Sequence, residues 1–290
     1  MKKSVTFIFS VVLILCFAIG CKQTEEKRKG EVTKPPAEVV TDVPLQNEEG
    51  MSSSGEGASN FPTGTVEGTY GVNYSFREEK DEEKLGDFVY FKSSLHYPVF
   101  EGEDKDNLNR LVASLAEEFR IYLPEAKEDA KYYYEMSLAD EYVASIFPLE
   151  EAFYVSCLWE TEQYITLFTQ WIGNTGGVHP NVSFRAYVAD RATGNCESME
   201  SMLNNYNLTE AKLVEYAAEQ IRKEHGEALY SNDKAEVLES NVVDFIQNNQ
   251  WYFNDKGLVL FANPYEIAAY AYGIIECEIS YEELEQGLKK

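Results

Sequence analysis

From Gly64 onward the apolar residues change period twice, and that double switch limits the chain to a small set of folds. The segments "GTVEGTYGVNYSFREE" and "GDFVYFKSSLHYPVF" alternate apolar and polar residues, which predicts two strands paired across the charged turn "EEKDEEKLG". The period then lengthens in "DKDNLNRLVASLAEEFRIYL". Leu108, Leu111, Val112, Leu115 and Phe119 fall on one helical face, with Asp104 or Asp106 as the expected cap. "PEAKEDAKYYYEM" reads as a second helix, because proline removes a backbone donor and ordinarily ends the helix before it. Two strands follow in "EAFYVSCLWETEQYITLFTQWIGNTGG", turning near Glu160 to Glu162, and "VSFRAYVAD" is another.

The same order then recurs. "NLTEAKLVEYAAEQIRKEHGEAL" predicts a helix capped by Thr209, with Leu213, Tyr216, Ala217 and Ile221 inward, and "AEVLESNVVDFIQNN" a shorter one. "QWYFNDKGLVLFANP" predicts a hairpin turning at Asn254 to Gly257, where Asp255 or Gly257 would take the unusual backbone angles. "ECEISYEELEQGL" predicts a short strand and then a capping box, Ser280 with Glu283. Strands and helices in alternating blocks, with hairpin-like strand pairs, give an α+β fold. The expectation is two small domains, residues 64–181 and 182–290, each an antiparallel sheet packed against helices.

The chain before residue 64 has a different character. Lys2 and Lys3 precede an apolar run, Val5 to Ile19, that is short for a bilayer span and has the plan of a secretory signal. It ends "AIGC", which resembles a bacterial lipobox, although Ala18 stands where leucine is usual. Residues 1–20 are therefore expected to be a lipoprotein signal peptide and Cys21 the lipidated residue, with an uncleaved anchor as the alternative. Either way the rest is exported and tethered to a membrane. Residues 21–63 are polar and rich in Lys, Glu, Pro, Gly and Ser; such a segment buries too little apolar surface to offset its chain entropy. It is expected to act as a tether.

Fifty acidic against 25 basic side chains give a formal net charge of −25. That balance disfavours nucleic acid, whose binding rests on neutralising phosphates; it can draw a cationic protein partner, or it can simply keep an exported protein soluble, which is the preferred reading. Cys157, Cys196 and Cys277 have neither a CxxC pair nor zinc spacing, and Cys157 lies in an apolar run that reads as core. His96, His179 and His225 are isolated. No HExxH, GxSxG, phosphate loop or GxGxxG occurs. Glutamate pairs such as those in "YEEL" are expected anywhere in so acidic a chain, and the run Tyr132, Tyr133, Tyr134 reads as half core and half helix surface. No cofactor, metal ligand or catalytic residue is assigned.

Residues 251–284, "WYFNDKGLVLFANPYEIAAYAYGIIECEISYEEL", resemble the C-terminal domain of the RsiV family. The matching positions are Gly257, Leu258, Val259, Pro264, Tyr265, Glu266, Ile267, Ala268, Tyr270, Ala271, Gly273 and Leu284; Ala269 departs from the usual proline. Upstream, "HYPVFEGEDKDNLNRLVASLAEEF" and "YITLFTQWIGNTGGVHPNV" resemble the N-terminal domain shared with the deacetylase PdaC, at Tyr97, Pro98, Asn109, Thr175, Gly176, Gly177 and His179. The resemblance implies a cell-envelope domain pair, α+β in both halves. In RsiV this region binds lysozyme; in PdaC it accompanies a separate deacetylase domain, whose His and Asp pairs are missing here. With only four residues before the apolar segment, no sigma-binding part is expected either. The implied function is a non-catalytic, extracytoplasmic binding or sensing module for a lysozyme-like protein or peptidoglycan. The alternative is an enzyme or accessory factor acting on cell-wall glycan.

Within the resembling segments Trp171, His179, Tyr265 and Glu266 are the candidate binding or junction residues. The stretch "TGGVHPN" can be read as a ligand loop around His179. It can also be read as the crossing from the first domain to the second, with His179 hydrogen-bonding across it, and the flanking glycines and Pro180 favour the crossing.

Overall fold

The computed structural model describes residues 64–102, 105–138, 146–231 and 234–288. The signal, Cys21, the tether and Asp104 lie outside the described residues. The first sheet has six strands in sequence order: β1 (Thr65–Glu67), β2 (Asn73–Leu85), β3 (Phe88–Phe100), β4 (Leu149–Glu160), β5 (Tyr164–Asn174) and β6 (Asn181–Asp190). All neighbours pair antiparallel except β3 and β4, which run parallel and are joined through helix α1 (Asp106–Ser137). The sheet is therefore mixed, where a purely antiparallel one was expected, because a parallel pair needs a crossover and α1 supplies it.

Two sequence expectations change here for physical reasons. The charged stretch from Glu78 to Leu85 is not a turn but the second half of β2, and the turn is the two residues Gly86 and Asp87. Its charges alternate with the strand period. Glu79 pairs with Arg120 at 2.8 Å, and Asp81 and Glu83 pair with Lys127, all on the α1 side. Glu78 with Lys80, and Glu82 with Lys84, pair on the other side. A strand whose successive side chains point to opposite faces can be amphipathic in charge as well as in hydrophobicity.

The two predicted helices over 104–136 are one helix that runs through Pro124. Proline in a helix interior costs about 3 kcal/mol. Burial on both sides offsets it: Leu108, Val112, Leu115, Ala116 and Phe119 enter the first core, and Ala126, Ala130 and Tyr134 enter a smaller one with Tyr90, Phe91 and Leu149. The residue at the helix start is Lys105, with no side-chain cap; Asp106 occupies the first turn, where its charge favours the helix dipole.

The second sheet has three antiparallel strands, β7 (Trp251–Phe253), β8 (Gly257–Ala262) and β9 (Ile275–Ser280). Around it lie α2 (Met199–Asn204), α3 (Glu210–His225), α4 (Ala235–Gln247) and α5 (Tyr281–Glu285). Thr209 caps α3 by accepting from Lys212 N, and Ser280 with Glu283 forms the expected capping box. The β7–β8 turn is built differently from expectation. Neither Asp255 nor Gly257 has a positive φ; instead the Asn254 side chain accepts from Lys256 N and Gly257 N. Gly257 is needed for space, since a Cβ there would lie 2.0 Å from Ile279 O.

Strand β6 was expected to open the second domain. It hydrogen-bonds along β5 as the last strand of the first sheet, while Phe184, Ala186 and Val188 on it lie in the second core beside Phe253, Leu258 and Phe261. Its outer edge is covered: Ala186 N donates to Asn249 O, and Phe184 N and O both bond the Asn263 side chain. Covering this edge removes a template for unwanted strand pairing and brings the loop after β8 against the end of the first sheet.

Candidate binding surface

Two loops meet where Asn263 docks on β6. The first, residues 174–181, joins β5 to β6, so "TGGVHPN" is a hairpin connection within one sheet and not a crossing between domains. Gly176 holds φ +82°, and a Cβ there would sit 2.4 Å from the Ile146 Cδ1 atom. The loop leaves Val178 fully exposed and turns His179 toward the second loop, residues 263–273.

The imidazole of His179 is held on three sides. Its Nδ1 lies 3.0 Å from Pro180 O, its Nε2 lies 2.9 Å from the Tyr265 hydroxyl, and its ring stacks on Tyr270 at 3.6 Å and 12°. A carbonyl can only accept, so Nδ1 carries the proton in the neutral ring and Tyr265 donates to Nε2. With both nitrogens engaged, the ring is a structural clasp between the loops.

The second loop begins with a tight turn. Glu266 N donates to Asn263 O at 3.1 Å, Pro264 takes the first central position, and Tyr265 takes the second with φ +72°. These are the marks of a type II turn, whose second central position ordinarily holds Gly or Asn. The Glu266 carboxylate locks the turn by accepting from Asn263 N at 2.7 Å and from Gln250 Nε2 at 2.5 Å. Gln250, 1% exposed, also donates to Phe261 O. Although Glu266 is exposed as a residue, its carboxylate reaches this buried amide. Burial raises its pKa above the ordinary range, against the lowering effect of the hydrogen bonds from Gln250 and Asn263.

The turn and the short 3-10 segment Tyr270–Tyr272 present aromatic side chains outward. Tyr265 is 54% exposed, Tyr272 57%, and Tyr230 59%. The Tyr230 N–H donates to Ile267 O and Leu229 bridges Ala268, which brings the Tyr230 backbone beside this loop. Tyr265 and Tyr270 lie 5.4 Å apart, tilted by 42°.

Trp171 does not share this clasp. It packs edge-on against Phe119, Tyr122 and Phe153 under α1, and its Nε1 donates to Glu151 Oε2 at 2.7 Å. The Tyr122 hydroxyl donates to the other oxygen at 3.2 Å. Glu151 is buried, and burial raises its pKa against both hydrogen bonds. Gly173 makes room: a Cβ there would come within 3.0 Å of the carboxylate.

The three candidates His179, Tyr265 and Glu266 thus converge, and Trp171 belongs to a separate buried cluster. Sequence reading missed Gln250, Asn263, Tyr270, Tyr272, Tyr230 and Val178. The pair Asn263–Pro264 signalled a turn, but a buried glutamine has no sequence signature. Among the described residues no group of three His, Cys, Asp or Glu side chains can hold a metal ion, and no disulfide joins Cys157, Cys196 and Cys277. Also among the described residues, no helix is long and apolar enough to cross a membrane.

These features define an α+β protein with a mixed six-stranded sheet, a three-stranded sheet and a clasped aromatic loop surface. Residues 204–282, from the end of α2 into α5, match the sequence model of DUF3298, described as a protein of unknown function. A crystal structure of a DUF3298 family member from Bacteroides fragilis is similar, with TM-score 0.50 and 16% identity over 75% of this chain and 94% of that one. A DUF3298 family protein from Pseudomonas aeruginosa matches with TM-score 0.41 and 15% identity over 77% and 93%. No curated protein matches the chain. The Bacteroides likeness is one of fold.

Proposed function

We propose that this protein is a non-catalytic binding or sensing module of the cell envelope, exported by residues 1–20 and held at a membrane by lipid on Cys21. The observation that carries the reading is the outward-facing aromatic surface around His179, fixed from beneath by Glu266, Gln250 and Asn263. Tyrosines held rigidly in the open lose little entropy on binding and offer a flat apolar face with a polar rim. The reading is supported by the resemblance of residues 251–284 to the RsiV C-terminal domain, and of 96–119 and 164–182 to the domain shared with PdaC, which implies a lysozyme-like protein or peptidoglycan as partner. The net charge of −25 favours a cationic protein.

Calorimetric titration of the full chain with hen lysozyme and, separately, with purified muropeptides tests this. Saturable binding of either supports a binding module, and heat-silent titrations with both at physiological salt overturn it.

An enzyme acting on cell-wall glycan is the second reading, favoured by the raised pKa of Glu266, which suits an acid catalyst. Its carboxylate is already committed to a turn, which favours the binding module. Muropeptide release by the wild type, abolished in Glu266→Gln, would establish the enzyme instead.

A further inference from the structure

We infer that the Tyr265 ring is the stacking platform for an uncharged sugar ring, so that the exposed loop surface around Tyr265 takes the glycan part of a cell-wall polymer. The inference rests on the binding-module reading and names the ligand class for its surface.

Three observations converge on it. The first is the backbone of Tyr265. A bulky side chain at φ +72° is an outlier, disfavoured relative to the right-handed region. Glycine would occupy the position without that strain, and the ring is more than half exposed, so core packing does not explain a tyrosine there. The turn is over-determined by Glu266, Gln250 and Asn263, the setting in which strain is retained at a binding site.

The second is size. The half-exposed Tyr265 ring offers much less than the area of about 800 Å² that a stable protein interface needs on each partner. A sugar unit fits the smaller area.

The third is chemistry. The axial C–H groups of a pyranose form an apolar face that packs flat on a phenol ring, while its equatorial hydroxyls reach polar groups at the rim. The Tyr265 hydroxyl supplies such a group, anchored at 2.9 Å to His179 Nε2. A neutral sugar also suffers no repulsion from a chain of charge −25.

The test is titration of the full chain with N-acetylglucosamine tetramer, followed by NMR line shifts and calorimetry, in the wild type, Tyr265→Gly and Tyr265→Phe. Tyr265→Gly relieves the backbone but removes both the ring and the bond to His179, so it should lose at least tenfold in affinity, and Tyr265→Phe, which loses the same bond, controls for that loss. Tyr265→Phe keeps the stacking face and should lose less than Tyr265→Gly. Equal binding by Tyr265→Gly and wild type overturns the inference. So does wild type that ignores the tetramer yet binds lysozyme, an outcome that leaves the binding-module reading standing. Silence toward the tetramer, muropeptides and lysozyme alike removes both.

Discussion

His179 Nε2 and the Tyr265 hydroxyl lie 2.9 Å apart, 86 positions apart in the chain, and this single bond ties the β5–β6 loop to the turn after β8. The ring of His179 also stacks on Tyr270, so one side chain fixes two points of the second loop. His179→Ala removes a hydrogen bond and a stacked pair, which predicts destabilisation of about 1–2 kcal/mol in urea unfolding. If His179 were instead a metal ligand, the wild type would bind zinc tightly and stoichiometrically, and the alanine variant would not.

Glu151 supplies a second prediction. Its carboxylate is shared by Trp171 and Tyr122, and its folded pKa is raised by burial. A raised carboxylate pKa means that the folded state holds the proton more tightly. Its contribution therefore falls as pH rises from about 4.3, the unfolded value, through the folded pKa. Glu151→Gln should flatten stability against pH in that window. Glu151→Ala should cost about 1–3 kcal/mol near neutral pH, because it strands the indole N–H and the phenol. Indole fluorescence during denaturant unfolding reads both; identical pH profiles for wild type and glutamine variant would refute the assignment.

His96 should act in the opposite sense. It is 6% exposed, stacks on Tyr154 and faces Glu78 at 3.0 Å. Burial lowers its pKa, with Glu78 partly opposing. The unfolded chain then binds the proton more readily, so stability declines as pH falls below about 6.5 toward the folded value. His96→Phe should lose this slope and keep the stacking contact. Thermal melts between pH 7.5 and 5 measure it.

Gly257→Ala is expected to be severe for a single methyl. The added Cβ would meet the backbone carbonyl of Ile279, and backbone in a paired strand cannot move aside as a side chain can. Destabilisation of more than about 2 kcal/mol follows from forced overpacking. By contrast Gly273→Ala meets open space, but at φ +62° and ψ −144°, a region open in practice only to glycine, so it should cost about 1–3 kcal/mol as a backbone penalty alone. Parallel urea titrations of the two variants measure both.

Much of the fold is legible in the sequence because the signals are local. The α3 cap at Thr209, its inward face from Leu213 to Ile221 and the Ser280–Glu283 capping box each depend on residues within a few positions. The charged half of β2 is legible too, in its alternation, although so dense a run of charge by itself points to a turn. Only the cations of α1 show why Glu79, Asp81 and Glu83 share a face. The continuation of α1 through Pro124 was not legible, since the local rule is real and is outweighed by burial in two separate cores.

The candidate site divides in the same way. Sequence by itself determined that Pro264 and Tyr265 stand in a turn-bearing segment, that His179 lies in a Gly- and Pro-flanked loop, and that strands and helices alternate in an α+β order. Those features come from backbone preference and periodicity, which act over a few residues. Tertiary structure alone decided that β6 completes the first sheet while lining the second core, that Trp171 belongs with Glu151, and that His179 meets Tyr265. Such pairings join residues far apart in the chain. They form only when apolar burial in the shared core has already offset the entropy of bringing the segments together.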